Sequence, residues 1–324
     1  MATLRETRDR IRSVNSTKKI TKAQELIATS QITKAQQRVS AAAPYATELT
    51  EVVARVAAAT SLDHPLLRER ENPTRAAILV VTSDRGMCGG YNHNVLKKAG
   101  EVEEMLREQG LDVVRFVTGK KGIEFYSFRD LEIAGQWTGF SEKPEWDITH
   151  DARNHLIRGF EAGGEGEAKW RPGINAPEGQ PVPGFDQVHV IYTEFISMLS
   201  QRARVQQLLP VKTVFEDEEY EVTSVTQSTG EITPDVDFEP DADTLLKALM
   251  PQYVSRVLYS IFLESAASES AARRTAMKAA TDNAGEIVKD LTRLANQARQ
   301  AQITNEITEI IGGANALSDS GERD

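Results

Sequence analysis

The chain has 324 residues, 40% apolar and 27% charged, a globular composition long enough for one sizeable domain with extensions or for two small domains. Its single cysteine, Cys88, excludes an internal disulfide, and without a Cys-x-x-Cys or Cys/His cluster no metal set is offered, so a reducing compartment fits best. The net charge of −10 is unevenly spread: residues 1–40 hold nine Lys or Arg against three acids, and residues 212–243 hold one Lys against eleven acids, which suits the two stretches to different partners.

Arg5, Arg8 and Arg10 alternate with Glu6 and Asp9, which fits neither a secretory signal nor an acid-poor transit peptide. Residues 3–61 then read as one long helix. Gly is absent there, and Leu4, Ile11, Val14, Leu26, Ile27, Ile32, Ala35, Val39, Leu49, Val52 and Val56 recur mostly at three or four. Pro44 is expected to bend or interrupt it. A helix of that length, on the order of 85 Å, needs a partner along it.

Residues 74–225 alternate short β-branched runs with helical stretches, the pattern of an α/β domain with a mainly parallel sheet. The surest strands are 76–81, 113–117 and 187–192, with helices over 93–109 and 149–161. Residues 161–185, rich in Gly, Pro and Glu, have the makeup of a mobile surface excursion. Residues 216–243 are acidic and offer at most a short strand near 220–225.

From 244 to 317 a second long helix is expected. Its proposed inner face runs Leu258, Ile261, Ser265, Ser268, Ala272, Ala276, Ala279, Asn283, Ile287, Leu291, Leu294, Ala298 and Ala301, then Ile307, Ile311 and Ala314. The face is mostly small between residues 265 and 284, which lets two helix backbones approach. The shared periodicity favours an antiparallel coiled coil of the two ends. No run approaches the ~20 apolar residues that cross a bilayer, so the expectation is a soluble chain, or one held at a membrane by other subunits.

Ser83-Asp84-Arg85-Gly86-Met87-Cys88-Gly89-Gly90 follows the first strand, where Gly-rich turns bind phosphate in nucleotide folds. It matches neither the dinucleotide fingerprint nor the P-loop, for no Lys-Ser/Thr follows the glycines. A tight turn presenting Arg85 to a partner is the better account. Cys88 has no recognisable His and carboxylate around it, and the five histidines show no metal spacing. Catalytic, cofactor-binding and metal residues are therefore all expected to be absent. The basic N-terminal helix lacks interleaved aromatics, and the chain as a whole is acidic, which disfavours nucleic acid as a partner.

Three motifs carry a resemblance across nearly the whole chain. They are Arg10-Ile11-Arg12-Ser13-Val14 with Ser16-Thr17-Lys18-Lys19-Ile20-Thr21-Lys22-Ala23, the Ser83–Gly90 turn, and Arg299-Gln300-Ala301-Gln302-Ile303-Thr304-Asn305-Glu306-Ile307 running on to Gly312-Gly313-Ala314. In this order they resemble the gamma subunit family of F-type ATP synthases. Gln24 and Arg274 stand where that family commonly has Met, and the 161–185 stretch is longer than typical.

The resemblance implies an α/β fold in which the terminal helices form an antiparallel coiled coil beside a Rossmann-like domain, divided as 1–73, 74–240 and 241–324. It implies a non-catalytic central rotor shaft that couples proton-driven c-ring rotation to cycling of the catalytic beta subunits. The implied partners are the alpha and beta subunits of the ring, epsilon and the c-ring. The implied location is the cytoplasmic face of a bacterial plasma membrane, reached only through other subunits. By similarity, Lys18, Lys22, Arg85 and Cys88 would neighbour the acidic lever of beta, while Gln300, Thr304, Glu306, Ile307 and Ile311 would form the bearing in the ring.

Overall fold

A computed structural model describes residues 4–59, 65–168, 182–211, 239 and 241–321. Two helices dominate the ends, α1 (Leu4–Ala59) and α5 (Ala242–Gly321). Between them lie β1 (Arg75–Val81), α2 (Tyr91–Glu108), β2 (Asp112–Thr118), α3 (Lys120–Ser127), β3 (Gly135–Trp137), α4 (Trp146–Ala162), β4 (Glu167–Ala168), β5 (Val182–Pro183), β6 (Gln187–Phe195) and β7 (Gln201–Leu209). Among the described residues no helix is long and apolar enough to cross a membrane. The expected strand near 220–225 lies outside the described residues.

By contacts the chain divides into two compact units, Met1–Ala28 with Arg274–Asp324, and Thr29–Arg273. In the larger unit, five strands form a sheet in the order β3-β2-β1-β6-β7. β1 pairs in parallel with β2 and β6, and β2 with β3, while β7 returns antiparallel along β6. β1 is central and almost wholly buried, which explains its unbroken apolar run: covered on both faces, it has no outward side to keep polar.

One face of this sheet packs Ile78, Val80 and Ile191 against Val95, Leu106 and Tyr126 of α2 and α3. The other packs Leu79, Phe116 and Val190 against Leu156 and Phe160 of α4, Val56 of α1, and Leu258 and Phe262 of α5. Each large side chain buried here contributes about 1.5–3 kcal/mol relative to exposure.

α1 and α5 run antiparallel within each unit. In the larger one, Tyr45 reaches Gln252 at 3.5 Å and Arg256 donates to the carbonyl of Ala42. In the smaller, the hydroxyls of Thr21 and Thr281 lie 2.7 Å apart. Pro44 sits inside α1 without ending it, contrary to a simple break. The side chain of Arg256 supplies a donor in the turn where proline disturbs the backbone ladder.

Two further expectations need correction. Beyond Ser268 the buried face of α5 is set by Ala271, Met277, Thr281, Ala284 and Ala295, whereas Ile287 and Leu294 are about half exposed. On α1 the small residues Thr7, Thr21 and Ala28 are buried, whereas Leu26 and Ile27 point outward. In the smaller unit close backbone approach favours small side chains at the seam, with Met277 the large exception, and Leu26, Ile27, Ile287 and Leu294 turn out.

The 161–185 stretch, expected as a mobile surface excursion, departs from that at its two roots, which are part of the body, while residues 169–181 lie outside the described residues. Phe185 is fully buried, β4 pairs with β5, and Asp186 Oδ atoms accept the N–H groups of Thr74, Arg75 and Gly164 at 2.7–3.2 Å beside Arg70. Burial alone would raise the Asp186 pKa, but those N–H groups and Arg70 hold it below the usual carboxylate range. A Cβ at Gly164 would stand 2.1 Å from both Asp186 Oδ2 and Thr74 Oγ1, so only glycine lets this anchor close.

Candidate functional site

At the C-terminal ends of β1 and β2 the chain builds the place where open α/β sheets bind ligands. Thr82 continues the ladder beyond β1: its N–H donates to the Thr118 carbonyl at 2.9 Å, and its hydroxyl donates to the same carbonyl at 2.6 Å. The strand ends come so close that a Cβ at Gly119, with φ +88°, would meet the Thr82 carbonyl oxygen at 2.2 Å. The space above them is filled by α5, α2 and the loop after β3. The cavity left among Thr82, Tyr91, Phe140, Phe262 and Ser265 is only about 10 Å³, room for about one water and not for a nucleotide.

The Gly-rich loop is held from within. Ser83 N–H donates to Asn92 Oδ1 at 2.9 Å, and Asn92 Nδ2 donates to Ser83 Oγ at 2.8 Å and toward Cys88 Sγ at 3.3 Å. Asp84 ties the loop to residues 139–141, where its Oδ2 accepts the N–H groups of Gly139 at 2.9 Å and Ser141 at 3.0 Å. Met87 adopts φ +61° and is exposed. Cys88, by contrast, is buried. Burial pushes its thiol pKa up, with Ser83 and Arg273 opposing only in part, so the group is a packed thiol without surface to offer a partner.

Arg85 is exposed, its guanidinium 3.5 Å from Glu142 Oε2. Glu142 Oε1 lies 3.1 Å from Arg273 on α5, and Arg273 also reaches Glu269 Oε1 at 2.7 Å and the carbonyls of Arg85 and Gly86. Burial raises the Glu269 pKa to about 7, with Arg273 opposing. Burial works against the Arg273 cation, but Glu269 and Glu142 more than offset it and raise its pKa. Glu142, Glu269 and Arg273 were not singled out as site residues from sequence. The signal for two of them was available: a Glu–Arg pair four apart among Ala and Ser on an otherwise apolar helix face.

A family model described as ATP synthase matches residues 3–317. The ATP synthase gamma chain of Corynebacterium glutamicum is 70% identical over 325 residues, covering all of both chains. The chain belongs to the ATP synthase gamma family. Another member, from Nocardia farcinica, is 53% identical over 328 residues and also spans both chains fully.

Among solved structures, a chain of the Euglena gracilis mitochondrial ATP synthase (OSCP/F1/c-ring, rotational state 3) matches with a TM-score of 0.62 and 18% identity. The match covers 99% of this chain and 96% of that one. A chain of the Tetrahymena thermophila mitochondrial ATP synthase (central stalk/c-ring) gives 0.52 at 19% identity over 81% of this chain and 99% of that one. At these identities the structures speak for the fold alone.

In this gamma-family chain the residues singled out from sequence fall in both units. Lys18 and Lys22 are exposed on α1 in the smaller unit, with Lys22 Nζ 3.0 Å from Glu25. Arg85 and Cys88 lie in the larger unit. Gln300, Thr304, Glu306, Ile307 and Ile311 are all exposed on α5. The Thr304 hydroxyl donates to its own helix at the Gln300 carbonyl, and Glu306 accepts from Gln302 at 3.0 Å. Ile307 and Ile311 leave more than half their surface open.

Proposed function

We propose that this chain is the central rotor shaft of an F-type ATP synthase, a subunit without chemistry of its own that couples proton-driven c-ring rotation to the conformational cycling of catalytic beta subunits. Full-length identity to ATP synthase gamma chains supports the assignment. The structural observation that carries it is the outward surface of the smaller unit. Ile20, Leu26, Ile27, Ile287, Leu294, Ile303, Ile307, Ile310 and Ile311 are all exposed there, and apolar exposure on that scale marks a surface meant for a partner.

A sleeve formed by alpha and beta subunits suits this surface, because Thr304, Asn305 and Thr308 interrupt its isoleucines and prevent one continuous adhesive patch. In this reading Gln300, Thr304, Glu306, Ile307 and Ile311 form the bearing. Lys18, Lys22 and Arg85 face acidic groups of beta, and buried Cys88 supports the loop that carries Arg85. Turning the shaft changes which beta conformation is favoured, so the coupling is allostery by rigid-body displacement. The proposed functional parts are 1–73 and 241–324 as the shaft and 74–240 as the body that meets epsilon and the c-ring. The proposed site of action is the cytoplasmic face of a bacterial plasma membrane, with attachment through other subunits.

Co-expression of a tagged chain with alpha and beta subunits tests this reading. A stable complex that hydrolyses ATP faster than alpha and beta alone is expected. A chain that purifies without them under native conditions would remove the rotor assignment.

A further inference from the structure

We propose that Glu142 is a positioning residue for Arg85: an internal counter-ion that competes with an acidic partner group for the guanidinium and keeps its grip releasable. The inference deepens the rotor reading and rests on it for the partner's identity, an acidic side chain of the catalytic ring. Its basis is a closed circuit of ion pairs and hydrogen bonds. Arg85 Nη1 meets one oxygen of Glu142 at 3.5 Å, the other oxygen meets Arg273 at 3.1 Å, and Arg273 returns to the Arg85 and Gly86 carbonyls at 3.3–3.4 Å.

The two halves of the circuit differ in exposure. The Arg85 side chain is 75% exposed and that of Arg273 only 7%, with Glu142 between them at 28%. An exposed, single-contact ion pair is weak and screened by salt. Losing it does not strand Glu142, whose second oxygen stays on Arg273. Arg273 in turn stays on Glu269 at 2.7 Å, so the buried half survives while Arg85 is lent out. Asp84, bound to Gly139 and Ser141, fixes the spacing between the two loops, so Glu142 cannot simply follow Arg85 away.

Glu142 therefore sets both the resting direction of Arg85 and the competition that an incoming carboxylate must win. Removing its charge makes Arg85 hold an acidic partner longer, which retards a cycle that needs contacts to break on every step.

Two measurements decide the matter. In the full-length chain alone, modification of Arg85 by an arginine-directed dicarbonyl, followed by mass spectrometry, is expected to run several-fold faster in Glu142→Gln, with Glu142→Asp restoring most of the protection. In the complex with alpha and beta, Glu142→Gln is expected to slow ATP hydrolysis at low ionic strength by about threefold, a difference that fades at ~0.5 M salt and in an Arg85→Ala background. Equal Arg85 reactivity in wild type and Glu142→Gln would overturn the proposal. So would a slowing that persists in Arg85→Ala, because the effect would then run through Arg273 and packing. If wild-type chain fails to accelerate alpha and beta at all, the rotor reading falls, and the reactivity of Arg85 still decides whether Glu142 positions it.

Discussion

Glu264 and Glu269 sit on adjacent turns of α5, and burial raises the pKa of each to about 7. For Glu264 the neighbouring Glu194 adds to the rise and Arg204 opposes it, while Oε2 is buried without a hydrogen-bond partner among the described residues. A carboxyl whose folded pKa exceeds its unfolded value favours the folded state at low pH. That contribution is complete below about pH 4.5 and is lost as pH rises through about 7. Ionised Glu264 therefore weakens the fold at alkaline pH, by up to about 3 kcal/mol. We predict that Glu264→Gln matches wild-type thermal stability at pH 5 and exceeds it at pH 8. A melting-temperature difference that does not grow across that range would refute the account. Sequence alone placed Glu264 on a helix. Its isolation beside Glu194 depends on β6 and β7 arriving from elsewhere in the chain.

Among the elements, α5 carries Gly285 inside a long helix, where glycine is less favourable than alanine by roughly 1 kcal/mol. Among the described residues a Cβ there would meet only Lys18, at 3.2 Å from Nζ and 3.7 Å from Cε, the far end of a flexible side chain. The helix gain should therefore win. Gly285→Ala is predicted to raise stability by up to about 1 kcal/mol, read by denaturant or thermal unfolding. A loss would mean that the two helices need glycine for closer contact than these distances indicate.

Strands β1, β2 and β6 were legible because parallel, twice-covered strands are continuous apolar runs. β7 was not. Its polar run of Arg202, Arg204, Gln206 and Gln207, half-buried except for Arg202, belongs to an edge strand whose pairing comes from the hairpin with β6. β3 and α3 are too short for periodicity to register. The α5 seam past Ser268 is rotated from the expected Ala272, Ala276, Ala279 and Asn283 to Ala271, Met277, Thr281 and Ala284, because small residues occur on several sides of this helix and only the partner backbone decides which side is covered.

For the molecule as a whole, Lys18, Lys22 and Arg85 are each proposed to act on acidic groups of beta. Exposed pairs of this kind are worth ~0–1 kcal/mol each, so single replacements should have small effects and the set a larger one. Replacing Lys18, Lys22 and Arg85 together by Ala is predicted to lower the protons moved per ATP in reconstituted vesicles by a few-fold, while leaving assembly with alpha and beta intact. Proton movement per ATP equal to wild type would count against a shared coupling role.

The family, the two long helices, the central strands and the lack of a phosphate-binding motif were all present in the amino-acid order, because they depend on periodicity, glycine placement and motif spacing along one stretch. Tertiary structure alone decided which faces of α1 and α5 meet, that the roots of 161–185 are locked to β1 through Asp186, and that Cys88 lies beneath Arg85 as packing. It also decided that Glu142 stands between an exposed and a buried arginine. Apart from the local contact of Cys88 with Arg85, these results join residues from distant parts of the chain, and distance-dependent forces such as ion pairing, desolvation and close packing act only once folding has brought such residues within a few ångströms.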